Sequence, residues 1–582
     1  MMRSLLRLLL LLFRKVLHSL PNSWRVALRH QHGLMTLYAN ALHSSRLFYG
    51  MLSDKQLQAR YDKLIPTQTV KLTHLDASLS QELTANVLLV ANLEQEVEES
   101  LRQLSQVDRV NKIFIISNGD ISVPQHGNMA VQAVASIKDF SADNKPLIVI
   151  RSGECLHKHA VAGFLSYARP QDAKADIVTC DTDRLDEAGK RSQPECYPQW
   201  NPDLQLSTGY IRTGMCVFGE ALQLCLIESL LSSQQVLSIA SWLVEQYFDG
   251  AMNVAHCPVT LVHKATETEG NWFACLSKAA SQHAWPIQVL PSKFNHNAVI
   301  QWHHDAQPLV SIIIPTRNGK DLVKTCIESI LTKTTYPHYE ILLIDNQSDD
   351  QEAVAYFAHL NTTQERVRLI PYPKPFNYSA INNFAVSHAK GQLFAFVNND
   401  IEVISPDWLS HMVSHALRHD IGCVGAKLFY PNKRVQHAGV VMGYGGGAGH
   451  AHKFFPDYHP GYLNRLACTN AFSAVTAACL LLRKATFEQV GGFNESDLAV
   501  AFNDVDLCLK VAKLGLRNLY CAEAELFHYE SISRGSENTP EKRARFEKEL
   551  TYLQTTWQHY IDADPAYNPN LTLRRENFAL KE

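Results

Sequence analysis

No Cys-x-x-Cys pair occurs in this chain of 582 residues, although it carries 13 cysteines. The two nearest, Cys216 and Cys225, are too far apart for a zinc ribbon. An odd number of dispersed cysteines also fits reduced thiols better than a disulfide framework. Charge of one sign is missing too: 54 Lys and Arg face 57 Asp and Glu, which gives no support to nucleic acid as a partner. The chain lacks a Gly-x-Gly-x-x-Gly turn after the first strand of its second half, which counts against a dehydrogenase. Near the N-terminus the longest uncharged apolar run, Leu8 to Phe13, is too short to span a bilayer. The 26 histidines are numerous but scattered, and most read as surface or core residues. The length exceeds what one core can organise, so two or more domains are expected.

What is present begins with MMRSLLRLLLLLFRK. On a helix Arg3, Arg7 and Arg14 share one face, while Leu5, Leu8, Leu9, Leu12 and Phe13 cover the remainder. Such a helix lies in the headgroup region of a membrane. A cleaved signal peptide is disfavoured because Arg7 interrupts the apolar region and no small-residue cleavage site follows. Residues 1–25 are therefore expected to be a basic amphipathic helix on an anionic membrane surface. That makes the protein cytoplasmic and peripheral on the inner face of the cell membrane. Residues 26–84 read as a helical linker.

From Pro308 the pattern alternates strand and helix. Leu309 to Ile314 is a β-branched run stopped by Pro315, Asp321 to Leu331 has helical spacing, and Tyr339 to Ile344 is a second buried run. Val367 to Ile370, the helical Phe376 to Ala389 and the strand Leu393 to Val397 follow. Continuous apolar strands alternating with helices imply an α/β fold, with a mostly parallel sheet covered on both faces. Thr316, Asp345 and Asp400 then fall at carboxyl ends of strands, where such sheets bind ligands. The upstream half repeats this order weakly, with strands at Asn86 to Val90, Lys112 to Ile116 and Leu147 to Ile150. His263 falls where His528 falls downstream, but Arg151-Ser152-Gly153 stands where the second half has Asn398-Asn399-Asp400. An arginine there would repel a cation, so the first half reads as a non-catalytic copy.

Several residues of the second half carry chemistry. Asn398-Asn399-Asp400 ends a buried strand in two amides and a carboxylate. The carboxylate can bind Mg²⁺ or Mn²⁺, and the amides can bond ribose hydroxyls without repelling phosphate. Pro315-Thr316-Arg317-Asn318 can contact a nucleobase and ribose, or can simply form a turn. Asp345 can accept from a pyrimidine N–H, or can close an Asx turn. In Phe502-Asn503-Asp504-Val505-Asp506, Asn503 reads as an N-cap and Asp506 as the acid of a capping box. Asp504 is left as a general base, kept ionised by the helix dipole. His528 can ligate a metal and Arg534 can pair with phosphate. The glycine-rich Gly443 to Gly449 run reads as a mobile lid or a plain loop.

Taken in order, SIIIPTRN, ILLIDNQSDD, FAFVNNDIEV, TAACLLLRK, GGFNE, FNDVDLCL and HYESISRG resemble a family 2 glycosyltransferase of the GT-A fold. The resemblance covers about residues 308–540. It implies inverting transfer from a nucleotide-diphosphate sugar to a glycan or lipid-linked acceptor, in bacterial assembly of O-antigen, capsule or rhamnose-rich polysaccharide. Asp400 would be the carboxylate of the metal motif, with His528 near the metal and diphosphate. Asp345 would bind the base, and Asp504 would be the catalytic base. Pro315, Thr316, Arg317, Asn318, Asn383, Asn398, Asn399 and Arg534 would line the donor site. Asn398 departs from the motif's first acid and leaves a single carboxylate. The implied architecture is two tandem GT-A-like (Rossmann-like) domains, a degenerate one over 85–300 and a catalytic one over 308–540, with a helix and tail over 541–582. A competing reading is a non-catalytic sugar-nucleotide-binding scaffold.

Overall fold

Val310–Thr316, Tyr339–Asp345 and Leu393–Val397 are apolar at consecutive rather than alternate positions. Strands of that kind need cover on both faces, and here they are buried along nearly their whole length. In the computed structural model they belong to a ten-stranded sheet. Its continuous path runs Val367–Pro371, Tyr339–Asp345, Val310–Thr316, Leu393–Val397, Cys479–Arg483, Ile421–Phe429, Arg517–His528, Ile401–Val403. The model describes residues 2–19, 41, 50–91, 94–117, 130–168, 175–186, 188–232, 237–250, 252–264, 270–294, 296–529 and 539–582.

The first half forms a nine-stranded sheet with the same plan. Its path is Ala130–Ala133, Val110–Ser117, Ala85–Ala91, Leu147–Arg151, Met215–Val217, Ile177–Leu185, Val254–Lys264, Cys155–Leu156. Position by position, the two paths share one succession of parallel and antiparallel pairings. The protein is thus α/β, with tandem sheets that each join a four-stranded parallel part to a mixed part.

The ladder corrects two details of the sequence reading. Pro315 does not stop its strand: Pro315 opposes Ile344 and Thr316 opposes Asp345. Pairing with Leu393–Val397 ends at Ile313, so the missing N–H of Pro315 costs no bond on that side. The match between halves also moves by one residue. Cys155 pairs with His263 as Ile401 pairs with His528, which places Glu154, not Gly153, at the position of Asp400.

The halves are docked through buried polar groups. Asp203 in the Pro202–Thr208 helix is paired with Arg418 and Arg517 of the second half. Burial alone would raise the Asp203 pKa, but the two guanidinium groups outweigh it and hold the carboxyl far below its ordinary range. Asn201 brackets the backbone of Ala471 with both ends of its amide. The chain then returns from the second half: Asn568 and Asn570 donate to the buried carboxylate of Asp181.

Among the described residues, two helices near the N-terminus complete the description. Met2–Ser19 exposes Leu8, Leu9, Leu12, Phe13 and Val16; the side chains of Arg3 and Arg14 lie outside the described residues. Among the described residues no helix is long and apolar enough to cross a membrane. Asp54–Ser78 starts at a Ser53/Gln56 capping box and buries Tyr61, whose hydroxyl donates to Asp183.

Candidate active site

The site grows from the carboxyl edge of the second sheet, at the switch point between Val310–Thr316 and Leu393–Val397. Thr316 ends the first of these strands, and its hydroxyl accepts from the Asn399 amide at 2.9 Å. Asp345 ends the neighbouring strand directly opposite Thr316. One oxygen of Asp345 accepts from the Ser348 N–H and hydroxyl, three residues on, so this carboxylate closes its own loop through Ser348.

Asp400 is buried, and its Oδ1 makes no hydrogen bond. His528 Nε2 lies 3.1 Å from that oxygen. The other ring nitrogen, Nδ1, is 2.6 Å from Gln436 Oε1, and the Asn398 amide nitrogen is 3.2 Å from Nε2. The backbone N–H of Asn398 donates to the Ala478 carbonyl.

One residue earlier, the Ala477 N–H donates to Asp504 Oδ2 at 3.0 Å. Thr476-Ala477-Ala478 therefore connects the Asp400 strand to Asp504. Asp504 is half-buried, and its Oδ1 accepts from the Val505 N–H. Burial raises its pKa above the ordinary carboxylate value, against the opposing pull of the Ala477 N–H and the Thr476 hydroxyl. The helix Asn503–Ala512 is not capped as its sequence suggests. Phe502 takes the cap position in a left-handed conformation, with φ 60° and no side-chain cap bond. Asn503 instead donates to the Val500 carbonyl. Glu549 accepts from the N–H groups of Val500 and Ala501, and Phe546 packs on Phe502, so the strained residue is held from behind. Asp506 is not a capping-box acid: it accepts from the Trp557 indole and pairs with Lys510. Tertiary packing on the helix Pro540–Asp562 wins over local capping at this turn.

Residues 311–491 match the model described as "Glycosyl transferase family 2". This segment is a family 2 glycosyl transferase domain. The uncharacterized protein y4gI of Sinorhizobium fredii is 38% identical over 83% of this chain and 54% of its own length. The O-antigen biosynthesis protein RfbC of Myxococcus xanthus is 34% identical over 74% of this chain and 34% of its own. The chain thus spans about half of one relative and a third of the other. A mannosyltransferase from Pyrobaculum calidifontis, solved with GDP-Man and Mn²⁺, is 17% identical with a TM-score of 0.33, covering 50% of this chain and 78% of that one.

The family 2 match includes Thr316, Asp345, Asn398 and Asp400 but ends before Asp504 and His528, which the fold returns to the same edge. Other candidate residues are placed differently. Asn318 adopts φ 54° and staples two loops: its amide oxygen accepts from the Asp349 and Asp350 N–H groups, and its amide nitrogen donates to Asp349. Arg317 is exposed beside Asp349. Asn383 sits in the helix Tyr378–Val386 and bonds the Phe493 backbone and Glu495. Arg534 lies outside the described residues.

Three site residues escaped the sequence reading: Gln436, His437 and His450. His437 is fully buried; its Nε2 accepts from the Gly439 and Thr476 N–H groups, and its Nδ1 is 2.8 Å from His450 Nδ1. Burial, followed by the neighbouring His450 and His528, holds the His437 pKa well below the ordinary imidazole value. The signal was available as histidine runs on both sides of the glycine segment, QHAG and GHAH. That segment is a built hairpin turn rather than a detached lid. Gly443, Gly445 and Gly446 all have positive φ, and the Gly446 carbonyl accepts from Gln554 of the C-terminal helix.

Proposed function

We propose that this chain is an inverting glycosyltransferase, using a nucleotide-diphosphate sugar as donor and a hydroxyl of a growing polysaccharide or lipid-linked glycan as acceptor. The observation that carries this is the convergence of three groups at one sheet edge. Asp400 has a buried oxygen without a hydrogen bond, His528 turns a ring nitrogen toward it, and Asp504 is held one residue away through Ala477. The O-antigen role in the name of the RfbC relative supports a polysaccharide acceptor.

A hard carboxylate oxygen and an imidazole nitrogen fit Mn²⁺ or Mg²⁺. When bound, such an ion offsets charge on the departing diphosphate. Asp400 and His528 would hold it. Asn399, Thr316 and Asp345 would place the nucleoside, with Asn398 beside the metal ligands. Asp504 would take the acceptor hydroxyl's proton as that oxygen attacks the anomeric carbon and the C–O bond to diphosphate breaks. One displacement inverts the configuration and needs no glycosyl-enzyme intermediate.

The test is a panel of nucleotide sugars assayed for transfer, hydrolysis and protection against unfolding, with and without Mn²⁺. One donor should stand out, and Asp400→Asn should abolish its turnover and the Mn²⁺ dependence of its binding. Full activity of Asp400→Asn, or of the wild type in excess chelator, would sink the metal assignment. A binder with no transfer on any acceptor would favour the scaffold reading.

We also infer attachment to an anionic membrane surface on the cytoplasmic side; the exposed leucines of Met2–Ser19 support the membrane contact. Removing residues 1–20 should release the protein from vesicles containing anionic lipid and leave turnover on a soluble acceptor intact. Unchanged vesicle binding by that truncation would place the anchor elsewhere.

A further inference from the structure

We propose that Gln436 is a positioning residue that fixes the tautomer of His528, so that the Nε2 lone pair faces Asp400 and the two side chains act as one donor pair for a divalent cation. This rests on the metal site proposed above, and it assigns a role to a residue outside every motif that carried the family resemblance.

A neutral imidazole has one N–H and one lone pair, and the partner of one nitrogen decides the role of the other. The shortest contact of the His528 ring is Nδ1 to Gln436 Oε1, at 2.6 Å. An amide oxygen can only accept, so Nδ1 carries the proton. Nε2 is then the lone-pair nitrogen, and its surroundings agree with that. The Asn398 amide nitrogen, a donor, lies 3.2 Å away. The Asp400 Oδ1 lies 3.1 Å from Nε2 and makes no hydrogen bond. An unprotonated ring nitrogen and a carboxylate oxygen this close repel each other until a positive charge sits beside both. The pair is therefore a nitrogen and an oxygen donor placed side by side, which suits a divalent cation.

Gln436 can impose this because it cannot move away. It is almost fully buried, in the short strand Val435–His437, which pairs with Ile421–Phe429. The next residue, His437, is locked by the Gly439 and Thr476 N–H groups. The ring of His528 is likewise held at the end of its strand, where it opposes Ile401. An outer-shell partner of this kind typically contributes about 10–100-fold in metal affinity.

The experiment uses the full chain as wild type, Gln436→Leu, Gln436→Glu, His528→Ala and Asp400→Asn. Histidine ring ¹⁵N shifts, with His528 assigned by its loss in His528→Ala, report the tautomer without any metal. Free Mn²⁺ measured by electron paramagnetic resonance, with saturating UDP, GDP or dTDP, reports affinity. Wild type should carry the proton on Nδ1. Gln436→Leu should lose that preference and bind Mn²⁺ about 10–100-fold more weakly. Gln436→Glu, which keeps an acceptor in place, should restore both. Thermal unfolding of Gln436→Leu checks that the comparison is made on folded protein, and the Gln436→Glu rescue holds even if the leucine variant misfolds. A wild-type proton on Nε2, or unaltered Mn²⁺ affinity in Gln436→Leu while Asp400→Asn loses it, would overturn the role of Gln436 and leave the metal site standing. Wild type that binds no Mn²⁺ with any nucleotide would retire the metal site itself and the donor-pair role with it.

Discussion

The two halves of this protein have the same sheet and opposite uses of its carboxyl edge. In the second half, the acid at the end of the fourth strand in the path keeps an unbonded oxygen beside a histidine. In the first half, Glu154 takes that position and His263 takes the place of His528. A carboxylate and a histidine survive, yet each is bonded to other partners. Glu154 is closed by an ion pair with Arg151 and a bond from Thr213, while His263 is turned to Asp183. Asp183 also accepts from Tyr61, on a helix outside the sheet, and from Arg191. A guanidinium is a permanent cation with fixed geometry, so Arg151 supplies from within the charge that a metal would bring. The lesson is that residue types do not define a site of this kind; unsatisfied, convergent valences do.

The largest way to sharpen that comparison is to remove the base. A general base contributes about 10²–10⁴-fold, so Asp504→Asn should cut turnover by that order with donor protection and thermal stability little changed. Because burial raises the Asp504 pKa and the base must be ionised, wild-type kcat/KM should fall on acidification at a pH above the ordinary carboxylate range. The variant's residual rate should lack that acid limb. Asp506→Asn is the control: it leaves an acceptor for Trp557 and weakens only the pairing with Lys510, so it should cost about 1 kcal/mol and little turnover. Should Asp506 prove essential and Asp504 dispensable, the assignment of the base fails.

A smaller effect is expected on turnover, though not on stability, from the first half. Asp183 is fully enclosed; burial would raise its pKa, but the bond to His263 and the charge of Arg191 reverse the sign and lower it. A carboxyl with a lowered folded pKa contributes stability above its unfolded value, and that contribution is lost as pH falls through the folded one. Asp183→Asn should therefore destabilise by about 3–5 kcal/mol at neutral pH, the usual cost of removing one partner of a buried pair. It should also weaken the acid dependence of unfolding, while kcat per folded molecule stays near wild type. Turnover lost in a folded Asp183→Asn protein would break the comparison and make the first half a working site.

Much of this was legible in the chain. The strands were, because short apolar runs without alternation, rich in β-branched residues and bounded by turn residues, read as strands covered on both faces. Asp345, Asp400 and Asp504 were, because each sits at the end of such a run or in the first turn of the helix that follows. The roles of amides and turns were less so. Asn318 and Asn383 read as donor contacts, and the structure gives both amides loop backbone to hold, since a short amide bonds whatever backbone the fold brings near it. Asp506 reads as a capping acid until Trp557, far along the chain, reaches it.

By itself the sequence determined the α/β class, the repetition of one plan in two halves, and the acids at the sheet edge. These follow from hydrophobic period and strand-end position, which are local. Only the tertiary structure decided which acid meets which histidine, that Glu154 rather than Gly153 corresponds to Asp400, and that Gln436 stands behind His528. Those facts depend on strand register, and a shift of one residue exchanges the side chains that share a face of the sheet.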